Sequence, residues 1–297
     1  MKIDRVVVGM DFSEPAIRAA RWAAQHVAPQ ADLVIVHALE MPVLPDFLRG
    51  HVSGAADVIE NARRGATDRL AELCRSICPE GNMRGVVRAG GAVDAILDVV
   101  AETRADLVVV GEHGRRAGVL DALGSTAERL LHSSPVPVLL GRGAEDHPPA
   151  SILIPVEEAD VTSLVLRWGA ELARRFDAAV ALLHVITSQI PGRVRIISAS
   201  GASREFEAKL ESSARAWLEQ VARDAGFDPE RTSSDVVFGE TRWEVLAAAQ
   251  RLDVDLIVMG SRGSGTAGQI LLGSVARSVL RGAHCPVLVI TQRDEPS

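Results

Sequence analysis

The stretches ADLVVVGEHG at 105–114 and VDLIVMGSRG at 254–263 decide the fold. Each is a Val/Ile/Leu run ending in glycine, the pattern of a strand buried on both faces that turns sharply as it leaves a sheet. Gly111 and Gly260 stand 149 residues apart. So do Gly124 and Gly273, in the following segments LGSTAERLLHSSPVPVLL (123–140) and LGSVARSVLRGAHCPVLV (272–289). LVIVHAL around His37 and ALLHVIT around His184 repeat at a spacing of 147. The chain is therefore an internal duplication, and small differences in loop length account for the unequal spacings.

Outward from these stretches, short apolar runs alternate with longer segments of helical period, which predicts βαβ units around a parallel sheet. In the first copy strands are expected near 5–9, 32–38, 83–89, 106–111 and 136–141, with helices near 14–28, 56–78, 92–103 and 125–133. In the second copy strands are expected near 151–155, 179–186, 233–238, 255–260 and 286–291, with helices between them. The fold class is thus α/β: two tandem Rossmann-like domains, each a five-stranded parallel sheet with helices on both faces. GRGAEDHPPAS at 141–151 has the Gly, Pro and charge of an exposed connector, so the domains are placed at 1–143 and 150–297. Segments 40–55 and 187–203 follow the second strand of each copy and carry Pro, Gly and Ser. They are expected to be flexible flaps over the carboxyl ends of the strands, where ligands of open α/β sheets bind.

Size and composition agree with this organisation. A length of 297 residues suits two domains, and 47% hydrophobic with 24% charged residues is the balance of a globular chain. The net charge of −7 comes from interspersed acidic and basic residues, which argues against a nucleic-acid partner. Aromatic residues are only 3%, with no Tyr, so base-stacking platforms are scarce. Cys74, Cys78 and Cys285 fit no common zinc spacing and are expected to be reduced core thiols, with a redox role for the Cys74/Cys78 pair as the alternative. The N-terminal MKIDRVVVGMDFS lacks the long apolar run of a signal peptide, and no apolar stretch approaches a membrane span. A cytoplasmic location without membrane contact is expected.

The chemistry-bearing pattern is a glycine, two residues, a second glycine, nine residues, then Gly-Ser. It comprises Gly111, Gly114, Gly124 and Ser125 in the first copy and Gly260, Gly263, Gly273 and Ser274 in the second. A chain free of side chains at such a turn lets main-chain amides approach phosphate oxygens, and the helix that follows adds free N–H groups and a favourable dipole. Ser125 with Glu128 is expected to form a capping box. The alternative is that the glycines only shape turns; recurrence of the whole constellation favours phosphate.

This pattern, together with an Asp at the end of the first strand, resembles the ATP-binding universal stress proteins over nearly the whole chain. The resemblance implies that the first-strand Asp and the backbone after the second strand's His hold adenine and ribose, while the glycine segment holds the phosphates. On this sequence the implied contacts are Gly9, Asp11, Ala38, Val110, Gly111, Gly114, Gly124, Ser125 and Thr126 in the first copy. In the second they are Pro155, Val185, Met259, Gly260, Gly263, Gly273, Ser274 and Val275, with Arg262 able to help hold phosphate. The implied ligand is ATP, with or without Mg2+; AMP and cyclic nucleotides remain open. It also implies that the last strand of each domain pairs antiparallel with its twin, and a further homodimer is compatible with it.

The copies depart from the pattern differently. Glu157 and Ala159 stand where the first copy has Asp11 and Ser13, altering adenine-side contacts and the helix cap. Glu112 stands where the second copy has Ser261, and pointed inward it would repel phosphate. Two sites of unequal affinity are expected. GSGTAG at 263–268 also satisfies a dinucleotide fingerprint, but its counterpart GRRAGV does not, and neither follows a first strand. His37 and His184 are read as structural, whereas His113 could touch phosphate or face water. No Walker loop and no nucleophile with its base can be identified, so binding is favoured over catalysis. Slow ATP hydrolysis, an adenylating enzyme and a nucleotide-independent scaffold are the alternatives.

Overall fold

The computed structural model describes residues 2–40, 55–79, 81–112, 123–143, 147–159, 162–187, 201–261 and 272–291. Two compact units divide the chain, Lys2–Asp146 and His147–Ser297. In the first, strands β1 (Arg5–Gly9), β2 (Asp32–Leu39), β3 (Met83–Ala89), β4 (Leu107–Val110) and β5 (Val138–Leu140) form a sheet in the order β3-β2-β1-β4-β5. β1 pairs in parallel with β2 and β4, β2 with β3, and β4 with β5. Helices α1 (Glu14–Trp22, continuing as a π-turn over Ala23–Val27), α2 (Ala55–Ile77), α3 (Ala92–Thr103) and α4 (Ser125–Ser133) connect the strands.

The second unit repeats this plan. Strands β6 (Ser151–Pro155), β7 (Ala179–Ile186), β8 (Thr232–Phe238), β9 (Leu256–Gly260) and β10 (Val287–Ile290) lie in the order β8-β7-β6-β9-β10. The connecting helices are α5 (Thr162–Phe176), α6 (Gly201–Asp224), α7 (Thr241–Arg251) and α8 (Ser274–Gly282). Residues 41–54 and 188–200, the bulk of the expected flaps, lie outside the described residues. The outer ends of those spans are helical: Ala55 opens α2, and Gly201–Ser203 belong to α6.

Apolar continuity explains the strand positions. Val6, Val7, Val8, Val108 and Val109 are fully buried, as are Ile152, Leu153, Ile154, Ile257 and Val258, because helices cover both faces of each central strand pair. The β3 edge strand instead carries Arg84 and Arg88 among half-buried and exposed positions, charges that discourage further strand addition. One carboxylate in each unit ties the central pair at its amino end. Asp106 Oδ2 accepts the amides of Asp4 and Arg5, each at 2.9 Å. Asp255 Oδ2 accepts those of Ala150 and Ser151, at 2.8 and 2.9 Å, and the Ser151 hydroxyl at 2.9 Å.

The strand order places a switch point between β1 and β4, and between β6 and β9. There the connections leave in opposite directions and open a crevice beyond the carboxyl ends of the strands.

Candidate functional site

In the first unit the crevice is built from the ends of β1, β2 and β4. Register pairs Gly9 with Val36, and the Met10 amide donates to the Val36 carbonyl at 2.8 Å. His37 Nδ1 carries its proton and donates to the Met10 carbonyl at 2.7 Å, so the ring fixes the chain as it leaves β1. That satisfied bond is the structural role expected of this histidine. Asp11, carried by the same register to the level of Ala38, uses Oδ1 to accept the Ser13 amide at 2.9 Å. Phe12 between them takes a left-handed φ of 62°, and Ser13 caps α1 by accepting the Ala16 amide. The Phe12 ring lies 4.7 Å from that of His37, with the Arg69 guanidinium of α2 stacked 4.2 Å above it.

Close packing joins this side to β4. A Cβ on Gly9 would come within 3.0 Å of Val110 Cγ1 and 2.8 Å of Ile96 Cδ1. A Cβ on Gly111 would meet Ala16 N at 2.8 Å, with Ala16 Cα and Pro15 C at 3.0 Å. Glycine at 111 is what lets the exit of β4 touch the first turn of α1.

The capping box expected from Ser125 and Glu128 is not formed. Gly124 is the N-cap, with extended backbone (φ −60°, ψ 139°), and its carbonyl receives the Glu128 amide at 2.9 Å. Ser125 and Thr126 therefore lie inside the first turn, and no side chain caps the helix. The amides of that turn have no partner within the helix, which leaves the positive end of α4 presented by main-chain donors. The Gly124 amide in turn donates to the Glu112 carbonyl at 3.2 Å, holding the helix start against the exit of β4. Glu112 makes an ion pair with Arg142, Nε to Oε2 2.6 Å, with side chains only 18% and 12% exposed. The carboxylate feared as a phosphate repellent is matched by a guanidinium.

The second unit reaches a similar geometry with other residues. Val156 donates its amide to the Leu183 carbonyl at 2.8 Å, and His184 Nδ1 donates to the Val156 carbonyl at 2.9 Å. Trp217 of α6 packs edge-on against the His184 ring at 5.1 Å, where the first unit used Phe12. The missing Ser13 equivalent is replaced by Thr162, whose hydroxyl donates to the Glu157 carbonyl and accepts the Ala159 amide at 3.2 Å. The register of β6 with β9, continued past Leu153 and Ile257, sets Pro155 beside Met259. Gly273, with φ −60° and ψ 153°, is the N-cap of α8 and donates its amide to the Ser261 carbonyl at 2.8 Å. Ser274 and Val275 begin that helix, again without a side-chain cap. Val185 follows His184 on β7. The expected contacts Gly114, Arg262 and Gly263, and His113, lie outside the described residues.

Several contributors escaped the sequence. Arg69, Trp217 and Thr162 act from helices, and Arg142 from the turn after β5, all away from the glycine pattern in sequence. Asp106 and Asp255 carried a usable signal, because each precedes its repeat's strand by the same spacing. The cysteines are free; Cys74 and Cys285 are buried and Cys78 is half-buried. Among the described residues no group of three His, Cys, Asp or Glu side chains is gathered for a metal, and no helix is long and apolar enough to cross a membrane.

Fold and crevice define a tandem, doubly wound α/β protein with one open switch point per unit. The universal stress protein family model matches residues 2–142 and again 150–291, so the chain belongs to the universal stress protein family. It is 34% identical over 213 residues to universal stress protein Rv2319c of Mycobacterium tuberculosis, covering 68% of this chain and 70% of that one. It is 35% identical over 144 residues to universal stress protein G of Escherichia coli O157:H7, covering 47% of this chain and 97% of that one. A universal stress protein crystal structure from Archaeoglobus fulgidus shares the fold, with TM-score 0.70 and 17% identity over 99% of this chain and all (100%) of that one.

Proposed function

We propose that each unit binds an adenine nucleotide, ATP with or without Mg2+, at its switch-point crevice, and that the protein is a nucleotide-responsive regulator rather than a turnover enzyme. The observation that carries this is the repeated helix start. Gly124 and Gly273 each cap a helix without any side chain, directly beside the exit of the strand at the switch point. Such a corner offers oriented main-chain donors and a helix dipole to an anion, and glycine leaves the approach clear. In the first unit the phosphates would be held by Gly111, Gly124, Ser125 and Thr126, and the nucleoside by Gly9, Asp11, Ala38 and Val110. In the second, Gly260, Gly273, Ser274 and Val275 take the phosphate role, and Pro155, Val185 and Met259 the nucleoside role. Gly114, Arg262 and Gly263 complete the two phosphate segments. The bound nucleotide supplies charge to be neutralised and a conformational bias; donors drawn from the main chain orient it without offering a nucleophile or a base.

Mass spectrometry of small molecules released from the denatured protein, followed by isothermal titration with ATP, tests this. Heat that disappears in a Gly124→Val, Gly273→Val double variant is expected. Both glycines have extended backbone open to any residue, so the valines block the corner without backbone strain. Absence of released nucleotide together with no heat in the wild type would instead leave a nucleotide-independent scaffold.

A further inference from the structure

Positions immediately beyond β4 and β5 face each other, because register pairs Val110 with Leu140. Two residues further on, Glu112 and Arg142 form the ion pair described above, with both side chains mostly buried. In the second unit register pairs Gly260 with Ile290, so Ser261 and Thr291 stand next to each other one residue further on. These are the 149-residue counterparts of Glu112 and Arg142, and both are buried, at 6% and 8% exposure. One unit thus carries a charge pair where the other carries two hydroxyls. The place matters: the Glu112 carbonyl receives the Gly124 amide, and the Ser261 carbonyl the Gly273 amide, at the start of α4 and α8 respectively.

Resting on the nucleotide reading above, we infer that the Glu112–Arg142 pair sets how many phosphates the first unit prefers, favouring shorter phosphate chains there than in the second. A glutamate whose main chain touches the N-cap residue keeps its charge well inside a Debye length of the first-turn amides. Arg142 Nε lies 2.6 Å from that carboxylate, and drawing the guanidinium away to a terminal phosphate would give up this mostly buried charge contact. Each added phosphate brings more negative charge towards this end of the crevice. Ser261 and Thr291 impose no such penalty, and the Thr291 hydroxyl has no hydrogen-bond partner among the described residues, leaving it able to donate.

The measured quantity is the ratio of ATP to AMP affinity in each unit, taken by titration with one corner blocked: Gly273→Val to isolate the first unit, Gly124→Val to isolate the second. The ratio is expected to be on the order of tenfold lower in the first unit than in the second. Importing the second unit's pair, Glu112→Ser with Arg142→Thr, raises the first unit's ratio to that of the second. This double exchange leaves no lone buried charge and so is the variant least prone to misfold. Arg142→Gln moves the ratio the other way, by removing the cation alone. Equal ratios in the two isolated units, or a double exchange that lowers both affinities in parallel, would overturn the inference while leaving nucleotide binding intact. Failure of both isolated units to bind either nucleotide would overturn the nucleotide reading itself, and this inference with it.

Discussion

Alanine at position 111 tests whether the corner depends on main-chain proximity. Its methyl carbon would sit 2.8 Å from Ala16 N and 3.0 Å from both Ala16 Cα and Pro15 C. Unstrained contacts to carbon are about 3.5–4.0 Å, so the exit of β4 and the first turn of α1 must part by about half an ångström or more. All three atoms belong to the backbone, and no rotamer change relieves them. Overpacking of this kind costs about 1–3 kcal/mol, and the rigid neighbours place Gly111→Ala near the top of that range. The turn that moves also carries the Ser13 cap, which sits beside Asp11, so the Asp11 side of the crevice shifts with it. With two units in one chain a single unfolding free energy is not defined, which makes amide hydrogen exchange the suitable assay. Protection of Val7 and Val109 is expected to fall by on the order of a hundredfold, while Leu153 and Val258 in the other unit serve as internal controls. First-unit protection within about twofold of wild type would refute the claim that these backbones meet.

Gly65→Ala should act in the opposite direction: it lies within α2 with nothing near its would-be Cβ, so about 0.5–1 kcal/mol of stabilisation is expected in the same exchange experiment. Asp255→Ala removes a carboxylate that accepts three donors and should destabilise the second unit by about 2–4 kcal/mol, seen as lost protection along β6 and β9 with β1 and β4 unchanged. Native-state alkylation followed by peptide mass spectrometry should label Cys78 first, since Cys74 and Cys285 are buried. Burial, reinforced by Asp255 and Asp253, pushes the Cys285 thiol up to about 12, so rapid labelling of that residue at pH 8 would contradict the packing. The same shift has a sign for stability: the folded thiol keeps its proton while the unfolded one ionises near its ordinary 9.0, so stability declines as pH rises from there towards 12.

The sheet was legible because its determinants are local. Central strands are uninterrupted apolar runs, and duplication displays each of them twice, so Val108 and Ile257 support one another's assignment. The Ser13 cap was equally local, with Asp, Ser and Pro within a few residues of one another. Legibility failed wherever a partner came from elsewhere. Ser125 and Glu128 have the spacing of a capping box, yet the extended Gly124 takes the cap and moves both residues one place into the helix. Replacement of Ser13 by Ala159 in the second copy read as an altered helix cap, but the Thr162 hydroxyl bonds to both Glu157 and Ala159. Glu112 looked like a misplaced charge because Arg142, thirty positions later, becomes its neighbour only through the parallel register of β4 and β5.

Duplication also separates what the fold needs from what each site has been free to vary. Asp106 and Asp255 bind the same pair of amides, and His37 and His184 donate to the same carbonyl, so neither feature can explain a difference between the units. The ring against the histidine, Phe12 in one and Trp217 in the other, comes from different elements, which means packing there constrains shape but not ancestry. Just beyond β4 and β5 the charge itself changes, from an ion pair there to two hydroxyls beyond β9 and β10. If the units respond differently to nucleotide, the cause must lie where their chemistry differs rather than in the scaffold they share. That directs the search to Glu112, Arg142, Ser261 and Thr291, to Asp11 and Glu157, to Arg262, and to the residues around Phe12 and Trp217, before any remote mechanism is invoked.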